Sequence, residues 1–168
     1  MSLLRFLKKT TEWYSKIGFY FGCIVLVIMV GHVSIDVLAR NLFKTSVPGT
    51  LEIVSNWYMV IVTFCPLAFL QLSKGHIVVD VATFHLNNRI KNLLDAIMSG
   101  FTFILTSIWF LSAIDLATRR TLQHEYVEYG LSTLPIWPVR WIYVASILGI
   151  FLASFITTVI YFNQIQKK

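Results

Sequence analysis

Residues 17–39, 51–73, 93–117 and 141–162 form four apolar runs, and the charges of the chain are pushed to their ends. Each run exceeds the roughly 20 helical residues needed to cross a hydrocarbon core of about 30 Å. A chain of 168 residues has no soluble core large enough to hide all four. In lipid every backbone N–H and C=O must find its partner inside the protein, which leaves helices for segments of this length. The expected fold is therefore all-α: an integral membrane protein with four transmembrane helices in one membrane domain over residues 1–168. Only 13% of the residues are charged against 57% apolar, and mean hydropathy is +0.71, which excludes a soluble class.

The net charge of +6 would suggest nucleic acid in a soluble protein. Here the bases flank membrane segments and bear on orientation instead. Arg5, Lys8, Lys9, Lys16, Lys74, Arg89, Lys91, Lys167 and Lys168 fall on one side, against Arg40, Lys44, Arg119, Arg120 and Arg140 on the other. The positive-inside rule thus puts both termini in the cytoplasm, with connections 40–50 and 118–140 facing out. The first apolar run exceeds an h-region of about 7–15 residues and has no clear A-x-A site, so it reads as a retained signal anchor. Before it, Arg5, Lys8, Lys9, Glu12, Ser15 and Lys16 share one helical arc, and Leu3, Leu4, Phe6, Leu7, Trp13 and Tyr14 the other. That pattern predicts an amphipathic helix over 1–16 lying in the headgroup region. A second interfacial helix is expected over 76–88, where His76, Asp80, Thr83 and Asn87 form a polar stripe. The four spans then read 17–39, 51–73, 93–117 and 138–162.

The ionisable residues within the apolar runs are His32, Asp36, Glu52, Asp95 and Asp115, and the four acids lie within four residues of a boundary. Ion or proton transporters keep such groups near mid-depth, so the bundle reads as one without a pathway of its own. Asp36 with Arg40, Lys91 with Asp95 and Asp115 with Arg119 have the i,i+4 spacing of helical ion pairs, neutralising each other at the interface or docking a partner. Glu52 follows Pro48-Gly49-Thr50 in the first turn of span two, where either the helix dipole or an Arg40–Glu52 pair would hold it. Haem ligation by His32 needs a second histidine at like depth, but His76, His85 and His124 lie in connections. A helix-to-helix hydrogen bond is the better reading. Cys23 and Cys65 lack metal-ligand spacing and read as small apolar fillers. Small residues recur at four-residue spacing (Gly18/Gly22, Ala96/Gly100, Ala145/Gly149/Ala153), which allows close helix approach, and Pro66 is expected to kink span two. No phosphate loop, nucleophile elbow or metal cluster points to an enzyme.

Three segments carry a family resemblance. Arg40-Asn-Leu-Phe-Lys-Thr-Ser-Val-Pro-Gly-Thr-Leu-Glu52, His76-Ile-Val-Val-Asp80 followed by Leu86, and Leu134-Pro-Ile-Trp137 stand in an order and spacing that resembles the DctQ-type small membrane subunit of tripartite ATP-independent periplasmic (TRAP) transporters. The resemblance covers essentially the whole chain. It implies a non-catalytic subunit without cofactor, scaffolding a large multi-span elevator subunit that carries the substrate and sodium sites and is expected as a separate chain. A periplasmic binding protein would deliver an organic acid such as sialic acid or a C4-dicarboxylate, all in the bacterial inner membrane, with lipid and no nucleic acid as the other contacts. Arg40, Glu52, Asp36, His76 and Asp80 are then structural or interface residues. Arg119, Arg120, Glu125 and Glu128 are candidates for contact with the binding protein. The alternatives are a haem- or quinone-associated anchor of a respiratory enzyme, or a small self-sufficient exporter.

Overall fold

The computed structural model describes residues 2–73 and 88–166, with side chains over 6–73 and 94–161. Its elements are α1 (Ser2–Phe43), α2 (Thr50–Ile53), a π-helical turn (Val54–Tyr58), α3 (Met59–Phe64), α4 (Leu67–Leu72), α5 (Asn88–Leu122), strands β1 (Tyr126–Tyr129) and β2 (Ser132–Pro135), and α6 (Trp137–Gln166). Four helical stretches are long and apolar enough to span a membrane: Phe6–Phe43, Thr50–Leu72, Leu94–Leu122 and Trp137–Tyr161. The expected bundle of four is thus present. Its outward faces carry large apolar side chains on every helix, as a bundle solvated by lipid requires.

Helix α6 is the centre. Ile147, Ala153, Val139 and Ser154 are almost fully buried, and Val144, Ile147 and Ile150 form one core with Ala68 of α4 and Ala113 and Ala117 of α5. Helix α5 faces α6 through Ala96, Ser99, Thr106, Ala113 and Ala117, a stripe at three- and four-residue spacing that keeps one side of the helix inward. Phe103 and Phe110 pack on Phe151 with centroids 5.4 and 5.5 Å apart. Thr106 and Ser154 share a hydrogen bond of 2.8 Å across the same seam.

Helix α1 attaches differently. From Gly22 onward its covered residues are Gly22, Val25, Met29, His32, Asp36 and Ala39, an alternating three-and-four stripe of coiled-coil width. Glycine permits the approach: a Cβ on Gly18 would lie 2.7 Å from the Cys65 carbonyl oxygen, and one on Gly22 3.0 Å from Pro66 Cγ. Val25, Ile61 and Cys65 make a second core layer, with Ile142 packed against it.

The expected separate amphipathic helix over 1–16 is instead the start of α1, which runs unbroken over 42 residues. Two residues near that arc explain the difference. Thr11 and Ser15 turn into the bundle and are buried, while Phe6 and Trp13 stay outside, and the Tyr14 hydroxyl donates to the Ala145 carbonyl at 2.7 Å. The interfacial helix expected over 76–88 falls on residues outside those described, except Asn88, which opens α5. Pro66, expected to kink span two, lies where the helix is interrupted between α3 and α4, with Phe69 and Leu70 N–H groups both donating to its carbonyl. The π-helical turn is a second irregularity in that span. Asn56 Nδ2 donates to the Glu52 carbonyl at 2.9 Å inside it, the kind of side-chain insertion that disturbs an i→i−4 ladder.

A two-stranded antiparallel hairpin in the connection between α5 and α6 adds to the all-α expectation, with Tyr126 opposite Pro135 and Tyr129 opposite Ser132. Gly130 at φ +59 opens its two-residue turn, a position that glycine fills without steric cost. This hairpin and the 44–49 turn share one end of the bundle, the hairpin end; the opposite one is the terminal end.

Candidate functional site: two polar clamps at the hairpin end

The first clamp closes the turn between α1 and span two. Asp36 is buried on the α1 seam, and Arg40 Nη2 reaches its Oδ2 at 2.8 Å. Its Oδ1 accepts the Val47 N–H at 2.7 Å, so one carboxylate both neutralises a guanidinium and holds the turn. Thr50 Oγ1 donates to the Val47 carbonyl at 3.1 Å and lies 3.4 Å from His32 Nε2. His32 Nδ1 meets the Tyr58 hydroxyl at 3.2 Å, the helix-to-helix bond expected for this histidine. Gly49, at φ +79, lets the chain turn into α2. A Cβ there would strike the Tyr129 ring at 2.8 Å, so the same glycine also seats the hairpin.

The second clamp closes the connection between α5 and α6. Arg140 Nε and Nη2 hold the two Glu125 carboxylate oxygens at 3.1 and 3.0 Å, a forked pairing, and Arg120 adds a longer contact of 3.8 Å. The hydrogen bond from Arg140 holds the Glu125 carboxyl below its ordinary value of 4.5, partial burial opposes this, and the charges of Arg140 and Arg120 add to the lowering. The Glu125 backbone carbonyl accepts the Ile136 N–H at 2.9 Å, so this residue fixes the start of α6 by two routes. Trp57 Nε1 donates to the Pro135 carbonyl at 3.2 Å and joins span two to the hairpin.

Asp36 and Arg40 pair as expected, and so do Asp115 and Arg119, whose guanidinium spans both carboxylate oxygens at 3.0 Å. The possible Arg40–Glu52 tie is not made: Arg40 belongs to Asp36, and Glu52 has no ion-pair partner among the described residues. Its place in the first turn of α2 leaves the helix dipole as its stabiliser. His76 and Asp80 lie outside the described residues, as does the side chain of Lys91, the expected partner of Asp95. Glu125 is committed within the chain, whereas Glu128 on β1 and Arg119 stay exposed, and the side chain of Arg120 is 44% exposed.

Sequence reasoning missed the Glu125–Arg140 fork, the Tyr58 and Thr50 partners of His32, and the hairpin. The hairpin had a trace in Tyr126-Val-Glu-Tyr-Gly130, an alternating run ending on a turn glycine. The fork had none, because its members are fifteen residues apart on either side of that turn.

Chemically, the arrangement holds shape. Among the described residues Asp36 is the one buried charged group, no cluster of three or more metal-ligating side chains occurs, and every buried polar side-chain atom has a partner. A crevice of about 170 Å³ between α1 and α6 is lined by Tyr14, Ser15, Gly18, Cys65, Ile142 and Ser146, with no charged group in its wall.

Comparison with curated proteins and with solved structures gave no match. A family profile described as tripartite ATP-independent periplasmic transporters, DctQ component, matches residues 29–167, from the middle of α1 through α6 and across both clamps. The chain belongs to the DctQ family, the small membrane component of TRAP transporters, and is a multi-pass inner-membrane protein.

Proposed function

We propose that this chain is the stationary scaffold for a large membrane subunit that moves substrate and sodium. It serves uptake of an organic acid, with sialic acid or a C4-dicarboxylate as the leading substrates, and holds no cofactor itself. The observation that carries this reading is that the described residues offer no titratable path. Among the described residues the one buried charge is Asp36, neutralised by Arg40 at one end of the bundle, whereas transport sites sit near the membrane midplane. Both termini face the cytoplasm in this reading, on the charge asymmetry of the connections, so the hairpin end faces the binding protein. Glu128, Arg119 and Arg120 are then the groups available for that contact, and Glu125 supports them from behind.

The test is reconstitution. Proteoliposomes holding this chain, its large subunit and the binding protein should take up labelled organic acid only when a sodium gradient is imposed. This chain alone should be inactive, and uptake by it alone would overturn the reading. Charge reversal at Glu128 (Glu128→Lys) should weaken uptake at limiting binding protein, and unchanged uptake would remove the contact. A Soret band in the purified chain would revive the respiratory-anchor alternative.

A further inference from the structure

The apolar belts of the four helices are staggered along the bundle. Val25 of α1, Ile61 of span two and Ile142 of α6 meet in one packing layer and give a common level. From that level toward the hairpin end, Arg140 is two residues away on α6, Glu52 nine on span two and Asp36 eleven on α1. At 1.5 Å per residue, the boundary of span two is displaced from that of α6 by about 10 Å, and the boundary of α1 by about 14 Å.

The terminal end shows the same displacement in the same direction. From the common level, Asn163, the first polar residue after the α6 apolar run, is twenty-one residues away, Ser73 twelve and Lys16 nine. Span two is therefore displaced by about 14 Å and α1 by about 18 Å. Helix α5 is in register with α6: Trp141 Nε1 bonds Thr121 Oγ1 at 3.0 Å, and Thr158 Oγ1 bonds the Ser99 carbonyl at 2.9 Å. Their boundaries agree at both ends to within about 5 Å. Because both ends shift together, the helices differ in level and not merely in length.

An upright bundle cannot satisfy these belts. Lys16 would sit well inside the hydrocarbon slab defined by α5 and α6, beside a crevice wall that is apolar. Leu38, Leu42 and Phe43, which are 56%, 70% and 75% exposed, would stand in water beyond its other face. Neighbouring helices pack about 8–10 Å apart, so α1 and α5, on opposite flanks of α6, are separated by about twice that. A stagger near 16 Å over that width is levelled by an inclination on the order of 40°, the top of the range seen for transmembrane helices.

We propose that the bundle lies steeply inclined in the bilayer, with the Ile35–Phe43 end of α1 seated in the leaflet at the hairpin end. Lipid covers Leu38, Leu42 and Phe43 there, and Arg40 and Lys44 meet the headgroups. At the terminal end Lys8, Lys9 and Lys16 extend along the same slope to the opposite headgroups, as long basic side chains do.

Polarised infrared dichroism of the full chain in aligned phosphatidylcholine bilayers needs no substitution. A mean helix tilt near 40° is expected, and one of about 20° or less, the ordinary average, would overturn the inclination. Depth can be read independently with a fluorophore on Leu42→Cys or Leu122→Cys in a Cys23→Ser, Cys65→Ala background that elutes like the parent. Spin-labelled lipid should quench both positions to a similar extent. A label at 42 that is reached by aqueous iodide and spared by lipid would place that end in water and sink the proposal, as would a label shielded from both quenchers.

Discussion

Helices α1 and α5 both dock on the α6–span two core, but by different physics. The α5–α6 seam is built from alanines with interleaved phenylalanines, so its hold is spread along the helix over many apolar contacts, with the Thr106–Ser154, Trp141–Thr121 and Thr158–Ser99 bonds added to them. The α1 seam is narrow, brings its backbone close at Gly18 and Gly22 with one ring contact between Phe19 and Phe69, and is tied by polar links: Asp36 to the 44–49 turn, His32 to Tyr58, Tyr14 to Ala145. Lipid is as apolar as a leucine side chain, so burial alone gives helices little reason to associate in a membrane. Where contact area is small, close backbone approach and hydrogen bonds must carry the attachment.

That contrast can be broken most directly at Gly18. Gly18→Leu should displace α1, because the atom in the way is a backbone carbonyl that cannot yield. A cost of about 1–3 kcal/mol or more is expected for such overpacking, read as a lower melting temperature in detergent. Gly100→Leu on α5, where a Cβ meets nothing within 4 Å, should leave it unchanged. If the two variants behave alike, the α1 seam is not held by close approach.

Asp36→Ala is expected to come next, removing the acceptor of the Val47 N–H and the partner of Arg40 at once. Proteolysis within the 44–49 turn should quicken in this variant and not in Asp115→Ala, whose carboxylate is exposed. The second clamp gives a pH test. Because the folded-state value of Glu125 is lowered, its stabilisation is present above its ordinary value and is lost as pH falls through the lowered one. The gap in melting temperature between the parent and Glu125→Gln should be constant from pH 7 to about 5 and close below about pH 4. A gap that widened on acidification would contradict the fork. Thr106→Val should have the smallest effect, about 0.6 kcal/mol for an interhelical bond in a membrane protein, since Ser154 keeps its bond to the Phe151 carbonyl.

Much of the architecture was legible in the sequence because the bilayer imposes one simple rule on length and polarity. The four spans, the Asp36–Arg40 and Asp115–Arg119 pairs, the irregularity at Pro66 and the role of His32 follow from local spacing. What escaped were features decided by neighbours. Thr11 and Ser15 join the buried side because α4 and α6 stand beside them, which no helical wheel of residues 1–16 contains. Glu125 was read as a candidate for contact with the binding protein because Arg140 meets it only after the hairpin turns. Glu52 found no cation because Asp36, one turn from Arg40 on the same helix, was the nearer competitor.

The Tyr14 contact sets an order on biosynthesis. Its hydroxyl rests on Ala145 and its ring lies against Gly149, so these contacts join α1 to a helix made three spans later. Until the ribosome has passed residue 149, the opening turns of α1 have no α6 to meet, although the Asp36 turn behind them can already be closed. The earliest made of these four spans is thus among the last of them to be finished.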